Sequence, residues 1–271
     1  MGKSSGNVGS ARGSSLPRTD LEVWLVNDDP AQLLVQKRLL GRFAATVWEF
    51  SSPTQLLAQA QKYGSCPNLV SDFHMPGMNG LELARIWCEM HPNARVLLVS
   101  ASKLSAAEQE AAVFLPNTHV RLLTSFHIPE LLAVVQEWFI GGPAEQVDDT
   151  PQPENDLQHF DATVHSKLVM LGGNSFLLKA LERFADRFPT RLESCRTALQ
   201  ERDWRGLHRE AHSMKGSCGI VGANALLVLA DQLEIAVQNE ESPETYSEWL
   251  VRLDDTWERS KFELEKILSK L

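Results

Sequence analysis

The sequence has few cysteines and no long apolar segment. None of its hydrophobic runs approaches the roughly 20 residues that a helix needs to cross a bilayer, so we predict no membrane segment. The N-terminus lacks the apolar centre of a signal peptide. The four cysteines are scattered without a pairing or metal-ligand spacing, which is typical of proteins from a reducing compartment. These absences favour a cytoplasmic location.

Clusters of basic residues are missing as well. The formal net charge is −9, and an acidic chain without grouped Lys and Arg binds the phosphate backbone of nucleic acids poorly. No helix-turn-helix signature is present. We therefore predict no nucleic-acid partner.

The first half of the chain alternates between short apolar runs and helix-length amphipathic stretches. The runs are rich in Val and Leu, which is typical of buried parallel strands: Leu21–Val26, Ala45–Phe50, Leu69–Ser71, Arg95–Val99 and His119–Leu123. The predicted helices are Pro30–Arg42, Pro53–Tyr63, Gly80–His91, Leu104–Phe114 and Pro129–Ile140. Five such β/α repeats predict a doubly wound α/β domain with a five-stranded parallel sheet over residues 21–141.

Two segments have the composition of linkers. Residues 1–20 are rich in Gly and Ser and predict a flexible tail or a linker. Residues 142–158 contain three prolines and several acids without a basic residue, which predicts a second linker.

From residue 159 to residue 271 the apolar period changes to that of a helix. Four apolar stripes at helical spacing follow one another without a strand pattern between them: Leu177–Cys195, Leu207–Cys218, Leu226–Val237 and Trp249–Leu268. This pattern predicts an all-α helix bundle.

One histidine of the predicted bundle, His212, has a lysine and a glycine beside it on the helix surface. Within Ala211–Gly222, the side chain of His212 is expected at the edge of the core stripe, where it can reach solvent. Lys215 and Gly216 follow at i+3 and i+4, beside it on the helix surface. Neutral imidazole is a good nucleophile because its unperturbed pKa is about 6.5. The ordinary alternative is a surface histidine next to a lysine, and the same alternative is favoured for His208.

The segment Ala211–Gly222 resembles the histidine phosphotransfer (HPt) family, whose motif is roughly A-H-x-x-K-G-x-x-x-x-x-G. The resemblance extends over the surrounding bundle, from about residue 160 to residue 271. It implies that His212 carries a phosphoryl group, that Lys215 supplies a cation beside it, and that Gly216 leaves room for a partner.

Carboxylates stand at the ends of the predicted strands. Asn27-Asp28-Asp29 follows the first strand, Ser100 ends the fourth, and Asp72 begins the segment D-F-H-M-P-G-M-N-G after the third. Doubly wound folds place their sites at this edge. The ordinary alternative for Asp28 and Asp29 is a pair of acids at a helix N-terminus beside Pro30, and for Asp72 it is a turn residue at the end of a strand.

The segment that begins at Asp72 matches the pattern D-x-x-M-P-x-M-x-G, and the first domain resembles the receiver domain of two-component signalling. The resemblance implies that Asp72 becomes phosphoaspartate. It also implies that Asp28, Asp72 and the backbone carbonyl of His74 hold Mg²⁺, a hard cation that prefers oxygen ligands. Ser100 is then expected to bind a phosphoryl oxygen.

The sequence departs from the receiver pattern at four positions. Thr124 stands at the position of the usual lysine, Ser125 at that of the following proline, Arg121 at that of the switch aromatic, and Asn27 at the first acidic position. Threonine cannot replace the lysine's charge beside an acyl phosphate, although Arg121 can if its guanidinium points toward the site. Two hypotheses remain: a receiver phosphorylated on Asp72, or a degenerate receiver that only docks or regulates while His212 alone is active.

The resemblance predicts a phosphorelay intermediate. The chain has no G-x-G string of an ATP-binding kinase domain, so we expect histidine phosphotransfer without ATP-dependent kinase activity. We expect a histidine kinase or a phosphorylated receiver upstream and a response regulator downstream. The sequence leaves the direction of phosphoryl flow open.

The order of domains is typical of the C-terminal end of hybrid sensor kinases, so we expect either a freestanding relay protein or the cytoplasmic end of a membrane-bound kinase. A DNA-binding regulator would need an output domain that residues 159–271 do not provide.

Overall fold

The N-terminal half contains a parallel sheet, as predicted. The structure is a computed structural model, and it describes residues 19–63, 68–101, 119–124, 128–140 and 159–271. The strands are β1 (Thr19–Val26), β2 (Ala44–Phe50), β3 (Asn68–Asp72), β4 (Val96–Val99) and β5 (Val120–Leu123). They form a five-stranded sheet in the order β2-β1-β3-β4-β5, and every neighbouring pair is parallel. The predicted fold class is therefore confirmed.

Four described helices flank the sheet. They are α1 (Pro30–Leu40), α2 (Pro53–Ala60), α3 (Gly80–Met90) and α4 (Ile128–Val135), which continues into a π-helical turn at Gln136–Ile140. Pro30 and Pro53 occupy the first turns of their helices, where a missing N–H costs no hydrogen bond. The predicted helix Leu104–Phe114 and the predicted linker at 142–158 lie outside the described residues. So does most of the predicted tail, whose last two residues belong to β1.

Residues 159–271 form a helix bundle. Its members are α5 (Ala162–Gly172), α6 (Asn174–Glu201), α7 (Trp204–Val221), α8 (Asn224–Gln238) and α9 (Pro243–Leu268). Each of the last four contains one of the predicted stripes. The stripes did not predict α5, because its only buried residue is Leu168. No helix in the described part of the chain is long and apolar enough to cross a membrane.

The sheet separates two apolar clusters. Because side chains alternate along a strand, Trp24 and Val26 face a cluster with α2 and α3, whereas Val23 and Leu25 face the opposite side. The second cluster includes the buried residues of α1 and continues without a break into the bundle. Helix α1 packs against α6 and α7. The two halves therefore share one core, and α7 lies beside the carboxyl ends of the strands.

Candidate functional site

Backbone hydrogen bonds align the strand ends at one edge of the sheet. Asn27 N–H donates to Phe50 O at 3.1 Å, and Ser100 N–H donates to Leu123 O at 2.8 Å. Asp72 lies opposite Val99 on the neighbouring strand. The predicted receiver residues Asn27, Asp72 and Ser100 are therefore together, and all three are buried.

Asp72 is a buried carboxyl group, only 5% exposed. Burial raises its pKa well above the usual value, and the neighbouring charge of Asp28 raises it further, while the charge of Arg191 and backbone hydrogen bonds lower it. Among the described residues, Oδ1 of Asp72 has no hydrogen-bond partner. Oδ1 of Asp72 can therefore accept a further ligand.

His212 is also buried, with 2% exposure. The prediction that it reaches solvent was wrong, because the receiver half covers this face of α7. Its Nε2 accepts a hydrogen bond from Ala101 N–H at 3.2 Å and lies 3.4 Å from Ser100 Oγ. Its ring lies 4.0 Å from the ring of His74, measured between centroids. The histidine of one half therefore contacts residues next to the predicted phosphorylation site of the other.

The opposite nitrogen of His212 is held by an acid. Nδ1 lies 2.7 Å from Oε1 of Glu234, whose other oxygen accepts from Lys215 Nζ at 2.8 Å. Lys215 also pairs with Asp231 at 2.8 Å. These partners assign the proton of the neutral imidazole to Nδ1 and leave the lone pair on Nε2. Lys215 therefore lies on the Nδ1 side in this arrangement and acts on His212 through Glu234.

The protonation states agree with this assignment. Burial lowers the pKa of His212 to about 4, although the hydrogen bond to Glu234 opposes the shift. Burial alone would raise the pKa of Glu234, but hydrogen bonds from His212 and Lys215 outweigh it and lower that pKa to about 2. At neutral pH the pair is a neutral imidazole and a carboxylate.

An arginine from the bundle occupies the acid cluster of the receiver half. Arg191 lies on α6 and is 1% exposed. Its Nη2 lies 2.9 Å from Asp28 Oδ2, its Nε lies 3.4 Å from Asp29 Oδ2, and its Nη1 lies 3.0 Å from Glu210 Oε2. Arg187, one turn earlier, approaches the same Asp28 oxygen at 3.9 Å. The guanidinium thus joins carboxylates from both halves of the chain.

Asp29 has a structural role. Its Oδ1 accepts hydrogen bonds from Ala31 N–H and Gln32 N–H, so that it caps α1. Its Oδ2 accepts from Ser217 on α7 at 2.5 Å. For Asp29, the alternative of a helix N-terminal acid is therefore confirmed. Asp28, by contrast, makes its described contacts with the arginines.

The positions that depart from the receiver pattern differ in their surroundings. Thr124 is exposed at the end of β5, and Ser125 lies outside the described residues. Arg121 pairs with Glu137 at 3.1 Å and lies over Trp138, so it does not take the role that we considered for it. Asn27 donates from its side-chain amide to Gln32 and Gln36.

The oxygen atoms suit a hard cation, although the described arrangement is not a closed metal site. Asp28 and Asp72 each have one buried carboxylate oxygen without a hydrogen-bond partner among the described residues, which is the chemistry that Mg²⁺ prefers. No group of three or more His, Cys, Asp or Glu side chains in the described ranges is arranged to hold a metal. The second oxygen of Asp28 already binds Arg191. The role of the backbone carbonyl of His74 as a metal ligand stays a prediction.

Two important residues were missed by the sequence interpretation. Arg191 follows Phe188 by three positions on the apolar face of α6, and Glu234 lies between Leu233 and Ile235 on α8. A charged residue within an apolar stripe indicates a buried ion pair, and this signal was available. His208, expected to be solvated, is partly buried and hydrogen-bonds to Gln238 at 2.9 Å. Gly216 is buried in α7, and its role in clearance stays a prediction.

Comparison with known families agrees with both resemblances. The response regulator receiver domain matches residues 23–121, and the Hpt domain matches residues 179–263. Each match covers its own half of the chain, and together they include Asp28, Asp72, Ser100 and His212.

The alignments with relatives cover one or both halves of this chain. The aerobic respiration control sensor protein ArcB of Escherichia coli (strain K12) is 20% identical over 246 residues, which cover 89% of this chain and 31% of ArcB. The DNA-binding transcriptional regulator NtrC of Salmonella typhimurium is 32% identical over 120 residues, which cover 42% of this chain and 24% of NtrC. The alignments thus span less than a third of either relative. The crystal structure of histidine-containing phosphotransfer protein B from Pseudomonas aeruginosa PAO1 is 22% identical, with a TM-score of 0.38, and covers 42% of this chain and 96% of that protein.

Proposed function

A receiver domain followed by an Hpt domain makes this chain a two-component phosphorelay protein, and we propose that it passes a phosphoryl group between Asp72 and His212. One observation carries this proposal: Nε2 of His212 lies against Ala101 N–H and Ser100 Oγ at the end of β4, and Ser100 is the residue expected to bind a phosphoryl oxygen. In this proposal the receiver spans residues 21–141, the linker 142–158 and the Hpt domain 159–271.

The transfer step follows from the protonation states. The lone pair of His212 Nε2 attacks the phosphorus of phospho-Asp72, so that an N–P bond forms as the O–P bond of the acyl phosphate breaks. Asp72 leaves as a carboxylate. The proton on Nδ1 stays in its hydrogen bond with Glu234, and the negative charge of that carboxylate balances the positive charge that develops on the ring. The reverse direction uses the same contacts.

The receiver step needs a positive charge near the phosphoryl oxygens. Asp28 and Asp72 would hold Mg²⁺ through their unpaired oxygens, together with the carbonyl of His74. When bound, the ion would offset the negative charge that builds up as a phosphoryl group approaches a carboxylate. Ser100 and Ala101 N–H would hold the remaining oxygens.

Other proteins must supply and receive the phosphoryl group. We propose a histidine kinase or a phosphorylated receiver upstream and a response regulator downstream. Because His212 is 2% exposed in the docked arrangement, transfer to another protein requires the two domains to separate. We propose the cytoplasm as the location, in keeping with the free thiols of Cys88, Cys195 and Cys218.

A second candidate function rests on the departures from the receiver pattern. Thr124 brings no charge to the site, and Asp28 is engaged by Arg191. These two facts favour a receiver that docks on the Hpt domain and covers His212 without being phosphorylated. In that case His212 is the only residue of the chain that carries phosphate.

Phosphorylation of matched variants tests the proposal. We would offer wild type, Asp72→Ala, His212→Gln and the double variant a small phosphodonor with Mg²⁺, and separately a phosphorylated receiver. The label would be classified as phosphohistidine if it is stable in base, and as acyl phosphate if it is stable in acid but labile in base. The experiment separates the two candidate functions because the two products differ in stability.

The expected result is base-stable label that disappears in His212→Gln and acid-stable label that disappears in Asp72→Ala. If base-stable label persists in His212→Gln, His212 is not the phosphotransfer residue. If no variant forms the acid-stable label, the receiver is the docking domain of the second candidate. His208→Gln, one turn before His212 on the same helix, is the matched control and should retain both labels.

A further inference from the structure

The buried guanidinium of Arg191 requires an explanation. Removing a charged group from water is costly unless its hydrogen bonds and charge are matched by partners. Among the described residues, carboxylates of both domains match the charge of Arg191, through hydrogen bonds to Asp28 at 2.9 Å and Glu210 at 3.0 Å and an ion pair with Asp29 at 3.4 Å. Its burial therefore depends on the docking of the Hpt domain against the receiver.

The same carboxylates are the ones that a receiver offers to a cation. A divalent ion on the unpaired Oδ1 of Asp28 would share a carboxylate with Arg191, which binds its Oδ2, so two positive groups would meet at one side chain. Coulomb repulsion between a guanidinium and a divalent ion a few ångströms apart is strong in a site that is closed to water. Arg187, whose Nη2 lies 3.9 Å from Oδ2 of Asp28, adds to the repulsion.

We propose that Arg191 is the docking residue that brings His212 to Asp72, and that it competes with Mg²⁺ for Asp28, so that metal binding releases the Hpt domain. This inference rests on the proposed function, since it assigns a regulation to the same site. In the metal-free state Arg191 provides the positive charge beside Asp28, and His212 is covered. In the metal-bound state His212 becomes accessible to a partner.

Thermodynamic linkage makes the proposal quantitative. If docking weakens Mg²⁺ binding by a given factor, Mg²⁺ must weaken docking by the same factor. Removing the guanidinium should therefore strengthen metal binding and weaken docking together. A residue with a purely structural role in the bundle would not couple these two quantities.

The experiment uses the full chain without a phosphodonor. Wild type, Arg191→Met and Arg196→Met would be titrated with MgCl₂ by calorimetry, and their radii of gyration would be measured by X-ray scattering with and without the ion. Methionine keeps the length of the side chain but removes the charge. Arg196 is the matched control, because it lies on the same helix and pairs with Glu193 and Asp254, away from the receiver.

We expect the radius of gyration of wild type and of Arg196→Met to increase on addition of saturating Mg²⁺. Arg191→Met should be extended without the ion and should bind Mg²⁺ at least tenfold more tightly. Modification of His212 by diethylpyrocarbonate should follow the extension, with slow reaction in metal-free wild type and fast reaction after Mg²⁺ is added.

The proposal is overturned if Arg191→Met and wild type bind Mg²⁺ with equal affinity, or if metal leaves the wild-type radius and the His212 modification rate unchanged. The wild-type measurement decides the question even if Arg191→Met fails to fold, which circular dichroism would reveal. Because no phosphoryl donor is present, a metal-dependent opening stands if the transfer assays of the proposed function fail. Conversely, successful transfer does not rescue the inference if the chain stays closed.

Discussion

Nδ1 of His212 lies 2.7 Å from Oε1 of Glu234, while Nε2 of the same ring contacts the receiver half at Ala101 N–H. This hydrogen bond determines the tautomer, since a ring nitrogen that donates to a carboxylate carries the proton and leaves the other nitrogen as the nucleophile. It also allows a histidine that is buried against a receiver to act as the nucleophile of the proposed transfer. The imidazole is neutral, and its lone pair is directed at the end of β4.

We predict that Glu234→Gln slows phosphotransfer at His212. The substitution keeps the size of the side chain but removes the charge that balances the developing imidazolium, and the rate should fall by on the order of 100-fold. The measurement is the rate of phosphohistidine formation from a phosphorylated receiver. Asp231→Asn is the control, because Asp231 pairs with the same Lys215 at 2.8 Å and, half exposed, makes no described contact with His212. Its rate should stay within about threefold of wild type. Equal loss in both variants would assign the effect to Lys215 instead.

The buried imidazole also predicts how stability depends on pH. Its pKa is lowered to about 4 by burial, so below pH 6.5 the unfolded chain binds a proton that the folded chain does not. The contribution of His212 to the free energy of unfolding is therefore fully present above pH 6.5. It decreases as the pH falls toward 4, with a loss of about 2 kcal/mol at pH 5. Urea unfolding of wild type and His212→Gln at pH 7 and pH 5 tests this prediction. The free energy of unfolding should fall more for wild type, and an identical fall in the two proteins would contradict it.

The elements of the fold were largely predictable from the sequence because they depend on local patterns. The strands that end at Val26 and Val99 and the stripe that contains Leu207 follow from the spacing of apolar residues, and the motifs around Asp72 and His212 identified the two domains. The contact between the domains was not predictable. The pairing of Arg191 with Asp28 joins residues 163 positions apart, and it depends on how two independently patterned surfaces meet.

We predict that Gly80→Ala disturbs the receiver site. A Cβ at Gly80 would lie 2.3 Å from Asp72 O and 2.9 Å from Phe73 Cα, so the backbone that carries the Asp72 carboxyl group would have to move. The expected loss in the free energy of unfolding is about 1–3 kcal/mol, and the yield of acyl phosphate on Asp72 should fall with it. Gly219→Ala is the control, because there the nearest atom is Leu227 Cδ1 at 3.9 Å. That variant should be unchanged or more stable by up to about 1 kcal/mol. Similar melting curves for the two variants would refute the role of close packing at Gly80.

We predict that Thr124→Lys raises the rate of phosphorylation at Asp72. Thr124 is exposed at the end of β5, so a longer side chain fits without disturbing the core, and an ammonium group there can stabilise the charge that develops on the phosphoryl oxygens. The rate of acyl phosphate formation from a small phosphodonor should rise by about 10- to 100-fold. Thr124→Met, which adds length without charge, separates the electrostatic effect from the steric one and should resemble wild type. If the lysine and methionine variants react equally, the missing cation is not what limits this receiver. Asp28 would then be the group to examine, because Arg191 holds it in the docked state.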